Sequence, residues 1–129
     1  MPTTRGALAV AEATAKSNAK VVNNLLTTGI IVAVGYSTPT RSSSGSAVGV
    51  TAGFAPFSLG TESDGSIRMP AARAGLFTIK IIRATVNDVG IQPAFREFDC
   101  FGALTRDTLD QAHPVAIMQE RDPNTYLPV

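Results

Sequence analysis

The chain has 129 residues, of which 44% are hydrophobic, enough to build the core of one domain. The formal net charge is +1 and the basic residues are scattered, so composition gives no case for binding nucleic acid or a membrane surface. A single cysteine excludes an internal disulfide framework, and no apolar run approaches the ~20 residues of a transmembrane helix. We therefore expect a cytoplasmic protein.

The first predicted element is an amphipathic helix over roughly residues 18–28. Its apolar residues recur at the spacing of one helix face, and Gly29 ends it. These apolar residues are Val21, Val22, Leu25 and Leu26. The β-branched run at residues 30–34 then predicts a buried strand.

The middle of the chain alternates small-residue segments with a short strand. A loop rich in Ser, Thr and Gly is predicted over residues 35–46, followed by a small-residue helix over 47–52. Residues 57–59 predict a short strand. A helix is predicted over 69–73, where Pro70 lies in the first turn, at which proline is tolerated.

The last third predicts a longer strand and a terminal helix. The apolar residues of segment 76–82 favour a strand, and residues 84–102 favour short strands and turns. Residues 106–118 have a helical pattern, which Pro114 is expected to kink or split. The alternation of helix and strand predicts an α/β fold, with a mixed β-sheet flanked by helices.

Two serine-containing motifs stand out from this background. An apolar strand ends at Leu59 and runs into a polar turn, in which Ser66 precedes a helical segment. That arrangement presents a hydroxyl beside a row of backbone N–H groups. A serine cluster at residues 42–46 begins 24 residues earlier. Taken alone, such a cluster is typical of a flexible linker.

Together the two motifs resemble those of the amidase signature family, in its acetamidase-like branch. The chain follows the order of the family's segments over residues 17–121, and residues 122–129 form a tail. The specific part is Gly65-Ser66-Ile67 within the Gly-Thr-Glu-Ser-Asp-Gly-Ser-Ile-Arg sequence. The matching segments are 42–53, 60–71, 75–80, 83–93 and 98–112. The resemblance implies that residues 1–129 form part of an amidase-signature domain.

The resemblance also implies the roles of individual residues. In the family, the serine matched by Ser66 attacks an amide carbonyl, and the serine matched by Ser42 passes its proton to a lysine. The family's oxyanion hole corresponds to the backbone N–H groups of Ser63, Asp64, Gly65 and Ser66. Such a site takes a small-molecule amide and needs no cofactor and no metal.

The lysine of this Ser-Ser-Lys triad has no counterpart in the sequence. The family places it in a Lys-Asp-Asn-like motif well before the relay serine, whereas this chain has only Lys16, Lys20 and Lys80, in other contexts. The resemblance therefore implies a truncated domain. Either the chain is an amidase-like hydrolase, whose lysine comes from another segment or a complementing chain or which keeps weak residual activity without it, or it is a non-catalytic remnant. Such a remnant would bind a partner or have no function. Uncovered sheet edges would also favour self-association.

Three other residues have predicted structural roles. Arg68 matches an arginine expected to pair with a nearby carbonyl or carboxylate. Cys100 is expected to be a small buried residue, and His113 to lie at the surface beside Pro114. The sequence shows no His, Cys and Asp spacing typical of a metal site.

Overall fold

The computed structural model describes residues 20–27, 33–34, 42–91 and 93–122. Within these ranges the chain forms four helices and four strands, which alternate except that the third strand is followed directly by the fourth. In chain order they are α1 (Lys20–Thr27), β1 (Ala33–Val34), α2 (Ser44–Thr51), β2 (Phe57–Glu62), α3 (Arg68–Ala74), β3 (Phe77–Thr78), β4 (Cys100–Thr105) and α4 (Leu109–Met118).

The strands form one mixed sheet in the order β1-β2-β4-β3. Strand β1 pairs parallel with β2, and the other two pairs are antiparallel. The central pair runs from Phe57 opposite Thr105 to Glu62 opposite Cys100. This confirms the predicted α/β class with a mixed sheet.

Helices cover both faces of the sheet, because side chains of β2 and β4 alternate between two apolar clusters. On one face, α1 and α4 pack on a cluster that contains Leu25, Phe57, Phe101 and Met118. On the other face, α2 and α3 pack on the smaller cluster of Ala47, Ile67, Ala71 and Leu104. Burying one leucine side chain of this kind contributes about 1.5–3 kcal/mol.

Two strand predictions were wrong in length. Strand β2 continues past Leu59 to Glu62, because Cys100 to Gly102 provide it with an antiparallel partner. The strand expected over 76–82 is reduced to Phe77–Thr78. There the backbone approaches β4 so closely that a Cβ on Gly102 would lie 2.5 Å from the carbonyl oxygen of Ile79.

Two helix predictions also needed correction. Helix α2 begins at Ser44, inside the predicted loop, so part of the serine cluster is helical. Helix α4 begins at Leu109, where Asp107 Oδ1 accepts a hydrogen bond from the Leu109 amide (2.7 Å), and Pro114 does not split it. The predicted helix end at Gly29 and most of the strand over 30–34 lie outside the described residues.

Candidate active site

The predicted nucleophile, Ser66, lies in the turn between the end of β2 and the start of α3. We call residues Glu62–Arg68 the nucleophile turn. Ser66 is half-buried in it, and Gly65 has a φ of +82°, a conformation that favours glycine. A Cβ at Gly65 would also lie 3.2 Å from the side chain of Met69. The turn therefore requires glycine immediately before Ser66.

Glu62 anchors the nucleophile turn from inside. The residue is 1% exposed, and Oε2 accepts hydrogen bonds from the amides of Ile67 (2.8 Å) and Arg68 (2.9 Å). Oε1 accepts a bond from Arg68 Nε at 2.6 Å, which confirms the predicted carboxylate partner of Arg68. Burial raises the pKa of Glu62, but hydrogen bonds from Arg68, Ile67 and Gly65 outweigh it and lower that pKa to about 2.

Ser63 is held by hydrogen bonds through both its backbone and its side chain. Lys80 Nζ donates to the Ser63 carbonyl oxygen at 2.6 Å, while the Ser63 hydroxyl donates to Asp99 Oδ1. Asp99 Oδ2 in turn accepts bonds from the amides of Ala94 and Phe95. Burial raises the pKa of Asp99, but the bonds from Ser63 and these amides, with the charge of Lys80, lower it overall. Two charged residues thus fix the start of the nucleophile turn.

The serine cluster is joined directly to the nucleophile turn. The amide of Ser43 donates to the carbonyl oxygen of Ser66 at 2.9 Å. The Ser43 hydroxyl accepts a bond from the Thr61 amide (3.1 Å) and donates to the Thr61 carbonyl oxygen (3.3 Å). A Cβ on Gly60 would lie 2.5 Å from that hydroxyl. The residue next to Ser42 is therefore in contact with Ser66, and the relay role of Ser42 stays a prediction.

The backbone amides of the turn have different surroundings. The Gly65 amide contributes to holding the Glu62 carboxylate. In the part of the chain that the structure describes, the amides of Ser63, Asp64 and Ser66 donate to no backbone carbonyl. The Gly65 amide is thus already engaged by Glu62. The oxyanion hole stays a prediction for all four residues.

The described lysines both have partners of their own. Lys20 Nζ lies 2.8 Å from Glu120 Oε1, next to α4. Lys80 Nζ bonds to Ser63 and lies 3.9 Å from Glu62 Oε1. Lys16 lies outside the described residues. The ammonium group of Lys80 therefore supports the nucleophile turn, a role that sequence reasoning missed along with that of Asp99.

The remaining predictions concern single residues and absences. Cys100 is buried and His113 is exposed, as expected. Among residues 20–27, 33–34, 42–91 and 93–122, no three His, Cys, Asp or Glu side chains are grouped as metal ligands. None of the helices in those ranges has the length and apolarity needed to cross a bilayer.

Known proteins resemble the chain over most of its length. A family model described as Amidase matches residues 36–128. "Amidase 1" of Arabidopsis thaliana is 44% identical over 70 residues, covering 54% of this chain and 16% of the relative. A glutamyl-tRNA(Gln) amidotransferase subunit of Desulforamulus reducens is 40% identical over 85 residues, covering 66% and 18%. This chain therefore spans less than a fifth of the length of either curated relative.

A solved structure supports the same resemblance. The crystal structure of an amidase family protein from Bacillus anthracis superposes with a TM-score of 0.72 and 25% identity. The superposition covers 83% of this chain and 28% of that protein. The arrangement of helices and strands described above is therefore an arrangement that a larger amidase family protein contains.

Proposed function

Because this chain belongs to the amidase family, we propose that it forms the nucleophile segment of a serine-dependent hydrolase of carboxylic amide C–N bonds. The observation that carries the proposal is the contact between the two serine motifs. A backbone hydrogen bond of 2.9 Å joins Ser43, beside the proposed relay serine, to Ser66, the proposed nucleophile. The turn that carries Ser66 also accepts or donates hydrogen bonds with the side chains of Glu62, Lys80 and Asp99.

The proposed reaction begins with attack of the Ser66 hydroxyl oxygen on the amide carbonyl carbon. Its proton passes to Ser42 and then to a base, and the carbonyl oxygen becomes an anion that turn amides bind. Collapse of this intermediate breaks the C–N bond, and the leaving amine takes up the proton. Water then hydrolyses the acyl ester on Ser66 and releases the carboxylic acid. The substrate class is a small-molecule amide.

Among the residues that the structure describes, we identify no base for this mechanism. The Arg68 guanidinium bonds to Glu62, and both described lysines have other partners. By analogy with serine hydrolases, loss of the base can lower kcat by ~10⁶-fold. We therefore expect the chain alone to hydrolyse amides very slowly or not at all, with any residual rate coming from the oxyanion donors.

The test uses a chromogenic anilide and a fluorophosphonate that reacts with nucleophilic serines, across a range of pH and added primary amine. High pH or an exogenous amine supplies the missing base, so both reactions should accelerate. Mass spectrometry should find the adduct on Ser66, and Ser66→Ala should abolish it. Ser42→Ala should slow it, whereas Ser44→Ala is the matched control from the same cluster and should behave like the parent chain.

The outcomes separate the hypotheses. A kcat on the order of 1 s⁻¹ that depends on Ser66, without added base, would show that the chain contains a base not identified above. Labelling and turnover that are unchanged by Ser66→Ala, at any pH or amine concentration, would refute the proposed nucleophile and leave only common ancestry.

The alternative is a non-catalytic remnant that binds a partner, including a complementing chain or a second copy. It is favoured by the large apolar side chains that the described fold leaves uncovered. Among them, Phe54, Ile82 and Phe98 are 83%, 76% and 67% exposed. Light scattering tests it, since a monodisperse monomer with a cooperative melt would argue against self-association.

Two coarser assignments complete the proposal. We propose that residues 1–129 act as part of one amidase-signature domain rather than as several units. We also propose that the protein works in the cytoplasm, where a single buried thiol such as Cys100 remains reduced. Fractionation of cells that express the tagged chain would test the second assignment.

A further inference from the structure

A second concave region lies apart from the two serines. A cavity of about 250 Å³, partly open to solvent, lies between the sheet and the segments 83–91 and 93–96, and neither Ser42 nor Ser66 lines it. Thr61, Cys100 and Phe101 form its wall on the sheet side. Thr61 and Phe101 are paired across β2 and β4, so this wall belongs to the most extensively paired part of the fold. The cavity is large enough for a small organic molecule.

Two arginines line this cavity. Arg83 has one acidic neighbour, Asp88, whose Oδ2 lies 3.8 Å from Arg83 Nη2. Both of those side chains are about half exposed or more, at 47% and 61%, so the pair contributes little to stability. Arg96 has no acidic group within ion-pair distance in the described ranges. The two guanidinium groups therefore have donors to offer a ligand.

Of the two carboxylates that line the cavity, only Asp88 is positioned to pair with one of the arginines. Asp99 also lines it, but Oδ1 accepts from Ser63 and Oδ2 accepts from the amides of Ala94 and Phe95. Its charge is thus already compensated by internal donors. Asp88 is the remaining acid, at the exposed rim, and it competes with a ligand for Arg83.

The rest of the lining is apolar. Val89, Ile91, Pro93 and Phe101 contribute to it, beside the arginines. Arginine binds carboxylates through two parallel N–H···O bonds, and apolar walls favour a hydrocarbon group on the same molecule. We propose that this cavity binds a small monocarboxylate that carries an apolar group, at a position separate from the nucleophile turn.

Benzoate is a suitable probe, and benzyl alcohol is its uncharged counterpart of similar shape. The full chain is titrated with each, by calorimetry and by chemical shifts of the backbone amides. Benzoate should bind with a Kd of about 1 mM or tighter, with shifts at residues 83–101, and benzyl alcohol at least about tenfold more weakly. Ser66→Ala should leave binding unchanged, which separates this proposal from the proposed catalytic function.

Three variants test the assignment of charges. Arg83→Gln and Arg96→Gln should each weaken benzoate binding by about tenfold, the loss expected for one charge-assisted hydrogen bond. Asp88→Asn should strengthen it, because the competing carboxylate is removed from Arg83. Arg73→Gln is the matched control, since Arg73 is an exposed arginine on α3 that does not line the cavity.

Several results would overturn the proposal. Equal affinity for benzoate and benzyl alcohol would show that the carboxylate charge does not contribute to binding. Binding unaffected by Arg83→Gln and Arg96→Gln, or shifts confined to the nucleophile turn, would place the ligand elsewhere. Both arginines are exposed to solvent, so circular dichroism should show that these variants remain folded.

Discussion

The turn that carries Ser66 is held by charged side chains, whereas the segment that carries Ser42 is held by hydroxyl and backbone groups. The nucleophile turn is bonded by the side chains of Glu62, Lys80 and Asp99. The segment that carries Ser42 is fixed through Ser43 and Ser46, whose hydroxyls bond to the backbone of β2 at Thr61 and Leu59. Bonds to ionised groups contribute about twice as much as neutral ones. The chain therefore fixes its proposed nucleophile more firmly than its proposed relay serine.

The largest expected effect comes from removing the anchor of the nucleophile turn. Glu62→Gln should lower the free energy of unfolding by about 3 kcal/mol, because the amides of Gly65, Ile67 and Arg68 and the Arg68 guanidinium lose a buried anionic acceptor. Urea unfolding measures this loss. Asp64→Asn is the matched control: its carboxylate is exposed and lies 3.9 Å from Arg68, so the loss should stay below about 0.5 kcal/mol. Equal losses would show that Glu62 is not the anchor.

Acid should weaken the same turn in the unsubstituted chain. The pKa of Glu62 is about 2 in the folded state, against an ordinary pKa of 4.5 for a glutamate side chain. As the pH falls below 4.5, the unfolded state takes up this proton first, so stability present above that pH is lost. The free energy of unfolding should have fallen by about 2 kcal/mol from this cause at about pH 3. Thermal melts from pH 6 to 3 should show a shallower decline for Glu62→Gln, and identical slopes would contradict the lowered pKa.

A smaller effect is expected at the link between the two segments. Gly60→Ala places a Cβ against the hydroxyl and Cβ of Ser43, so Ser43 must move away from β2. We expect a loss of about 1.5 kcal/mol, typical of overpacking, and a change in the Ser43 and Ser66 amide shifts. Gly49→Ala is the control, because a Cβ there meets nothing within 4 Å, and it should be neutral or stabilising.

The smallest effect should appear in the loop that joins Lys80 to Asp99. Ala84 has a φ of +71°, a left-handed conformation that costs a non-glycine residue about 1 kcal/mol or more. Ala84→Gly should relieve this strain and, after the entropy gained by the unfolded chain, stabilise by about 0.5 kcal/mol. Ala94→Gly, which has no positive φ to relieve, should destabilise. A destabilising Ala84→Gly would contradict the strained backbone.

The sequence predicted the parts of this site that are local in the chain. Gly65, Ser66 and Arg68 lie in one short motif, and the expected carboxylate partner of Arg68 is Glu62, only six positions away. The supports of Ser63 come from 17 and 36 residues away, through Lys80 and Asp99. Periodicity and turn propensity carry no information about such pairings, so these two roles needed the folded chain.

The same distinction explains the errors in the fold. Residues 76–82 have strong strand propensity, but they pair with β4 only at Phe77 and Thr78. Beyond these, the Ile79 carbonyl oxygen lies too close to Gly102 for a side chain there. Strand β2 was underestimated because Gly60 is a poor strand residue in isolation. Glycine is accommodated at position 60 because the Ser43 side chain occupies the space that a Cβ would need.

The buried thiol of Cys100 has a consequence for following this molecule in solution. It is the single cysteine of the chain, its Sγ donates to the carbonyl oxygen of Glu62, and burial raises its pKa. Cys100 lines the cavity described above but is only 6% exposed, so a thiol reagent should react slowly until β4 separates from the end of β2. The rate of Cys100 alkylation would therefore report how often β4 separates from β2 beside the nucleophile turn. This can be measured in the native protein without an added label.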